Sequence, residues 1–225
     1  MAHGRSAQQL HRLRTDVAQA GRTLTAAGLV TGLAGNVSAR EGELVAVTPT
    51  GGRLATLTAE EIAVVDLGGE LVDAPRAPTS ELPFHLAIYD RFDAGAVVHT
   101  HPPMATAVAC VEDELPCIHY SLLQLGGAIR VARYATFGTD DLAGTIVEAL
   151  EGRTAALMAS HGAVTYGADL QEALDETELL EWACAVYVHA RACGTPRQLG
   201  ADERRAVAEA LEAYDRRRGA RAQRE

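Results

Sequence analysis

A chain of 225 residues, 48% of them hydrophobic, is long enough to bury one substantial core, and a single domain over residues 1–225 is expected. A formal net charge of −10 with 4% aromatic residues speaks against a nucleic-acid binder, and no run is apolar enough to span a bilayer. All 20 Lys+Arg residues are arginine, and a chain without lysine can form neither a Schiff-base lysine nor a P-loop, nor hold pyridoxal phosphate as an internal aldimine.

In chain order, residues 6–28 carry Leu10, Leu13, Val17 and Leu24 at helical spacing and predict an amphipathic helix. The opening MAHGRSAQQLHRLRTD has no apolar run after its charges, so no signal peptide is expected and the expected location is the cytoplasm. Glycine-broken runs follow (LVTGLAGNVSAR, ELVAVTPTGG, EIAVVDLGGELV) and predict strands joined by tight loops. ELPFHLAIYDRF, residues 81–92, predicts a helix with Leu82, His85, Leu86 and Tyr89 on one face and Thr79 or Ser80 as its cap. AGAVVHTH predicts a strand. A helix is expected over 103–111, short strands over 129–131 and 134–137, and a helix opened by Thr139, Asp140 and Asp141 and running to about 150. TAALMASHGAVTYG predicts a strand, a turn at His161 and Gly162, and a second strand. A long helix over 169–192 ends at Gly194 and Pro196, and a last one covers 202–217. The arginine-rich tail DRRRGARAQRE suits a solvated helix end or a subunit contact. Strands flanked by helices give an α/β layered fold.

Without lysine, carbonyl chemistry needs another electrophile, and a metal ion is the obvious one. On a strand, residues i and i+2 share a face, so His99 and His101 project together, as two ligands of a borderline cation such as Zn²⁺ would. Two half-buried histidines are the other reading of the pair. His161 is the best third ligand, at a strand-to-turn junction where Gly162 allows close backbone approach. His3, His11, His85, His119 and His189 read as non-ligands. Cys110, Cys117, Cys184 and Cys193 form no C-x-x-C pair and read as small, partly buried thiols. Three segments, AGNVS (34–38), TPTGG (48–52) and TSE (79–81), offer hydroxyls and amides in turns or at a helix start, where anions bind without a formal cation. Ordinary turn and cap chemistry is the alternative for each. Glu81, at the first turn of a helix, reads as a metal ligand, a general base or a capping carboxylate.

The stretches GLAGNVSAR, VTPTGG, PTSELPFHLAIYDRFDAGAVVHTHPPMATAVAC, IHYSLLQLGG, YATFGTDDL and SHGAVTYGADLQEAL, in this order, resemble the class II aldolase/adducin family, most nearly its L-fuculose-1-phosphate aldolases. The resemblance implies a single-domain layered fold, with a mainly antiparallel central β-sheet flanked by helices. It implies one zinc ion per subunit on His99, His101 and His161, with Glu81 as both resting ligand and catalytic acid–base. It implies a substrate-phosphate site of Gly35, Asn36, Thr50, Gly51, Thr79 and Ser80. Tyr120 matches a tyrosine that exchanges the proton on the aldehyde side from a neighbouring subunit, in a homotetramer with interfacial sites. Phe137 and Tyr214 match the aldehyde pocket. Leu33 stands where threonine is usual, Thr79 where serine is usual, and Ser160 where histidine is often found.

The implied reaction is reversible cleavage of a ketose 1-phosphate, such as L-fuculose 1-phosphate, to dihydroxyacetone phosphate and a small aldehyde such as L-lactaldehyde, through a metal-stabilised enediolate. Glutamate at 81, where the family's pentulose-phosphate epimerases tend to have aspartate, favours the aldolase over the epimerase. Sugar-phosphate lyases, decarboxylases and dehydratases of the same family, and aldolases for other deoxy- or thio-ketose phosphates, are further alternatives. An adducin-like scaffold has no need of three histidines beside a glutamate, and a purely structural zinc module favours four closed ligands, often cysteines.

Overall fold

The computed structural model describes residues 2–222, with side-chain positions for residues 8–211, 213 and 214. The side chains of the arginine-rich tail and of His3 lie outside the described ones. Among those described, nine strands form one sheet: β1 (Asn36–Glu41), β2 (Leu44–Val47), β3 (Ala63–Asp66), β4 (Leu71–Asp73), β5 (Ala96–Thr100), β6 (Glu114–Leu115), β7 (Ile129–Ala132), β8 (Ala155–Met158) and β9 (Gly162–Gly167). Their spatial order is β4-β3-β2-β1-β5-β9-β8-β7-β6, and all pairs are antiparallel except β7 with β8.

Helices cover both faces. On one side α2 (Leu82–Arg91) and α4 (Asp140–Leu150) bury Phe84, Ile88, Leu142 and Ile146 against Val45, Val65, Val97 and Val164. On the other, α1 (Ala2–Ala26) and the start of α5 (Leu170–Cys193) bury Val17, Leu24 and Leu174 against Val37, Val64 and Val98. Further along, α3 (Pro103–Ala109) and α5 cover Leu157 and Ala163. Neighbours in one strand, such as Val97 and Val98, thus serve opposite layers. This explains why β5 reads as an unbroken apolar run rather than an alternating one. Each such valine contributes roughly 1.5–3 kcal/mol of burial. A last helix, α6, spans Ala201–Ala222. No helix among the described residues is long and apolar enough to cross a membrane.

Two local expectations need correction. Residues 134–137 form no strand: the chain leaves the sheet after Ala132, finds no strand to pair with, and exposes Tyr134 and Phe137. Neither Thr79 nor Ser80 is the residue flanking α2. That position is held by Glu81, whose side chain makes no cap; Thr79 Oγ1 instead accepts from the Glu81 N–H at 3.3 Å. The caps expected elsewhere form, Thr139 accepting from Leu142 N–H at the start of α4.

Candidate metal centre and active site

The histidines are brought together by sheet register. β9 pairs with β5 so that Thr100 faces Ala163, which sets the residue preceding β9, His161, against the end of β5. The turn from β8 closes with His161 N–H donating to the Met158 carbonyl at 3.0 Å, and Ser160 sits in the left-handed region (φ 53). Gly162 is required there: a Cβ would lie 2.4 Å from the Thr100 carbonyl oxygen. The rings of His99, His101 and His161 then stand 4.7–4.9 Å apart, centre to centre, and each offers one nitrogen within 4.8 Å of the other two. His99 is fully buried. Its Nδ1 donates to the Ala163 carbonyl at 2.9 Å, which leaves the Nε2 lone pair facing His101 Nε2, also at 2.9 Å.

Glu81 enters this cluster from the start of α2. Its Oε2 lies 3.2 Å from His99 Nε2 and its Oε1 3.4 Å from His161 Nε2, while Asn36 Nδ2 donates to Oε2 at 2.8 Å. Burial by itself would raise its carboxyl; the contacts with His99, Asn36 and His161 outweigh it and hold the carboxyl at about 2. Burial lowers His101 to about 3 and His161 to about 4, so both rings are neutral, ligand-competent bases at neutral pH.

These residues fit a divalent cation. Two ring nitrogens meet at 2.9 Å, and the buried Glu81 Oε1 has no hydrogen-bond partner. A cation seated among three imidazoles and a carboxylate answers both, and a set of three nitrogens with one displaceable oxygen is the donor pattern of a catalytic site rather than a closed structural one.

The three anion-cradle segments line one cavity of about 410 Å³ whose floor is this cluster: Gly35 and Asn36, Thr50 and Gly51, Thr79, Ser80 and Glu81, with His101 and His161. They are stitched together. Val37 N–H donates to Thr48 Oγ1, Thr79 N–H to the Thr48 carbonyl, and Thr50 N–H to the Ala77 carbonyl. Gly35 has φ +88, and a Cβ there would lie 2.9 Å from the His99 carbonyl oxygen, so only glycine lets this loop close on β5. Among the described residues no arginine lines the cavity, so its cradle segments meet an anion with amides, hydroxyls and the helix start.

Leu33, Tyr134 and Phe137 form an apolar rim, each more than half exposed. Tyr120, 51% exposed at the start of a 3₁₀ turn (Tyr120–Leu125), does not line the cavity in the single chain, and neither does Tyr214 on α6. His119 accepts from Ser121 N–H and packs on Tyr120 and Trp182, away from the metal cluster. Sequence reasoning missed Tyr134, Ala135 and Ser160 as lining residues. It also missed the buried partners of Asn36, although His85 and Tyr89, one helical turn apart, were the available signal.

Comparison with known proteins agrees with the geometry. The profile of the Class II Aldolase and Adducin N-terminal domain matches residues 15–188. A 5-methylthioribulose-1-phosphate/5-deoxyribulose-1-phosphate aldolase of Rhodospirillum rubrum is 39% identical over 204 residues, 90% of this chain and 92% of its own. A 5-deoxy-D-ribulose 1-phosphate aldolase of Bacillus thuringiensis is 34% identical over 208 residues, 91% of this chain and 98% of its own. A solved L-fuculose 1-phosphate aldolase superposes with a TM-score of 0.86 at 34% identity, covering 89% of this chain and 96% of the other. With three histidines and a glutamate gathered at the foot of the matching fold, the chain belongs to the class II aldolase and adducin family.

Proposed function

We propose that the chain is a zinc-dependent aldolase that reversibly cleaves a ketose 1-phosphate to dihydroxyacetone phosphate and a small aldehyde. The observation that carries this reading is the placement of Glu81 against His99 and His161 at the floor of a cavity whose walls are the three anion-cradle segments. A divalent cation held by His99, His101 and His161, with Glu81 beside it, would act as the Lewis acid in place of the iminium that a lysine-free chain cannot form. Glu81, ionised and within the cluster, exchanges the proton at the carbon that becomes nucleophilic. Gly35, Asn36, Thr50, Gly51, Thr79 and Ser80 hold the phosphate, so that binding remote from the reacting carbons orients them. Tyr120 exchanges the proton of the hydroxyl on the aldehyde side. Its exposure in the single chain supports delivery from a second copy, in a homotetramer with interfacial sites.

The rim supports a substrate class. Leu33, Tyr134 and Phe137 present no charged group to the aldehyde half, which suits a deoxy-ketose ending in a methyl group. L-Fuculose 1-phosphate and the 5-deoxyribulose 1-phosphate named for the two relatives share that ending and would yield lactaldehyde and acetaldehyde; the 5-methylthioribulose 1-phosphate also named for the first ends in a methylthio group and would yield methylthioacetaldehyde. Incubating zinc-loaded protein with a panel of 1-phospho-ketoses and assaying dihydroxyacetone phosphate tests the reading. Release from deoxy-ketoses is expected, and silence across the panel would overturn it.

A further inference from the structure

Behind Glu81 and Asn36 the cavity floor continues into the protein as a line of buried polar side chains, Ser38, His85 and Tyr89. Asn36 Nδ2 donates to Glu81 Oε2, and Asn36 Oδ1 is in hydrogen-bond contact with His85 Nε2. Ser38 Oγ lies 2.8 Å from His85 Nδ1 and 2.8 Å from the Tyr89 hydroxyl. Ser38 and His85 are fully buried and Tyr89 nearly so, in a layer of Phe84, Ile88 and Val97. Polar groups in such surroundings are costly without partners, and here each has one.

The line has one direction. Glu81, ionised, only accepts, so Asn36 turns its nitrogen to the carboxylate and its oxygen to His85. His85 must then carry its proton on Nε2 and accept on Nδ1. The donor to Nδ1 is the Ser38 hydroxyl, whose lone pairs take the Tyr89 O–H. Four hydrogen bonds run in one sense from Tyr89 to Glu81. A flipped Asn36 would present its carbonyl oxygen to the carboxylate and to the anion cavity that it lines.

We propose that Ser38, His85 and Tyr89 are positioning residues that fix the Asn36 amide nitrogen-first toward Glu81 and the substrate cavity. The inference rests on Glu81 being the proton-transfer carboxylate of the reading above. Histidine suits the central position because it donates on one side and accepts on the other across a rigid ring. A side chain with a donor but a different far side, glutamine, keeps the contact to Asn36; leucine keeps only the volume.

Two measurements test it. The first is the imidazole ¹⁵N spectrum of His85 in zinc-loaded wild-type protein. The Nε2–H tautomer is expected, and the Nδ1–H tautomer would overturn the proposal whatever the activity. The second compares His85→Leu, His85→Gln, Ser38→Ala and Tyr89→Phe at equal zinc content and thermal midpoint. A loss of about 10–100-fold in kcat/KM is expected for His85→Leu, with most of it restored in His85→Gln and smaller losses in the other two. Leucine as active as wild type, or glutamine no better than leucine, would overturn it. Should leucine prevent folding, the tautomer decides. Should wild-type protein release no dihydroxyacetone phosphate from any ketose phosphate, the aldolase reading fails, while the tautomer still reports on the hydrogen-bond line.

Discussion

The floor and the rim of the cavity are built on opposite principles. On the floor, His99, Glu81 and Asn36 are buried, set by strand register or a helix start, and held by hydrogen bonds to neighbours that are themselves held. At the rim, Leu33, Tyr134 and Phe137 are exposed side chains on irregular chain with no such restraint. On the proposed reading the floor fixes a class of reaction, and the rim chooses among substrates of that class. Two relatives named for 5-deoxyribulose phosphates and a structural neighbour named for L-fuculose phosphate, at similar identity, fit that division.

The sharpest way to break the contrast is to remove a floor ligand. His161→Ala is expected to lose stable zinc binding and more activity than the roughly 10–100-fold typical of outer-shell changes; zinc content after dialysis and dihydroxyacetone phosphate release measure it. Zinc bound as tightly as in wild type would mean that the three-histidine site is wrong. Glu81→Gln keeps the volume and the contact to Asn36, and is expected to retain the fold while lowering kcat by about 10²–10⁴-fold. Steady-state kinetics on zinc-loaded protein would show full activity if another group were the base.

A milder probe is pH. Burial holds His85 and His101 at about 3 and His161 at about 4, below their ordinary 6.5. Below pH 6.5 the unfolded chain binds protons that the folded, metal-free chain refuses. Stability is thus expected to fall as pH drops from 6.5 toward 4, by up to about 1.4 kcal/mol per pH unit for each ring. Urea midpoints of chelator-treated protein measure this, and a flat profile would mean that the floor is not held neutral. The smallest effect belongs to the rim. Leu33→Thr is expected to move the kcat/KM ratio toward hydroxylated aldehydes by about tenfold, with zinc content unchanged.

The same contrast governs what was legible in the sequence. His99 and His101 could be paired from strand periodicity, and His161 and the three cradle segments from their glycines and hydroxyls, because these signals are local. Thr79 or Ser80 as the cap of α2 was a local misreading, and the sequence left Glu81 open between ligand, base and cap. Only the tertiary meeting of α2 with β1 and β5 shows that its carboxylate turns from the helix toward the histidines. The strand expected over 134–137 failed for a related reason: apolar, β-prone residues looked like sheet, but no edge was there to receive them. His85 was set aside as a ligand, and its two ring nitrogens meet Ser38 and Asn36. Its link to Asn36 joins residues 49 positions apart, beyond any periodic pattern.

β5 is the middle strand of the nine, flanked by β1 and β9 and covered on both faces. Amide hydrogens at such a position exchange with solvent only when the whole molecule opens, whereas those of an edge strand such as β4 exchange through local fraying. Because His99 sits on that strand, a cation bound there is tied to the last part of the chain to come apart. Adding zinc to metal-free protein is therefore expected to slow exchange throughout the central strands together, by the factor that mass action assigns to ligand binding, and to leave β4 unchanged.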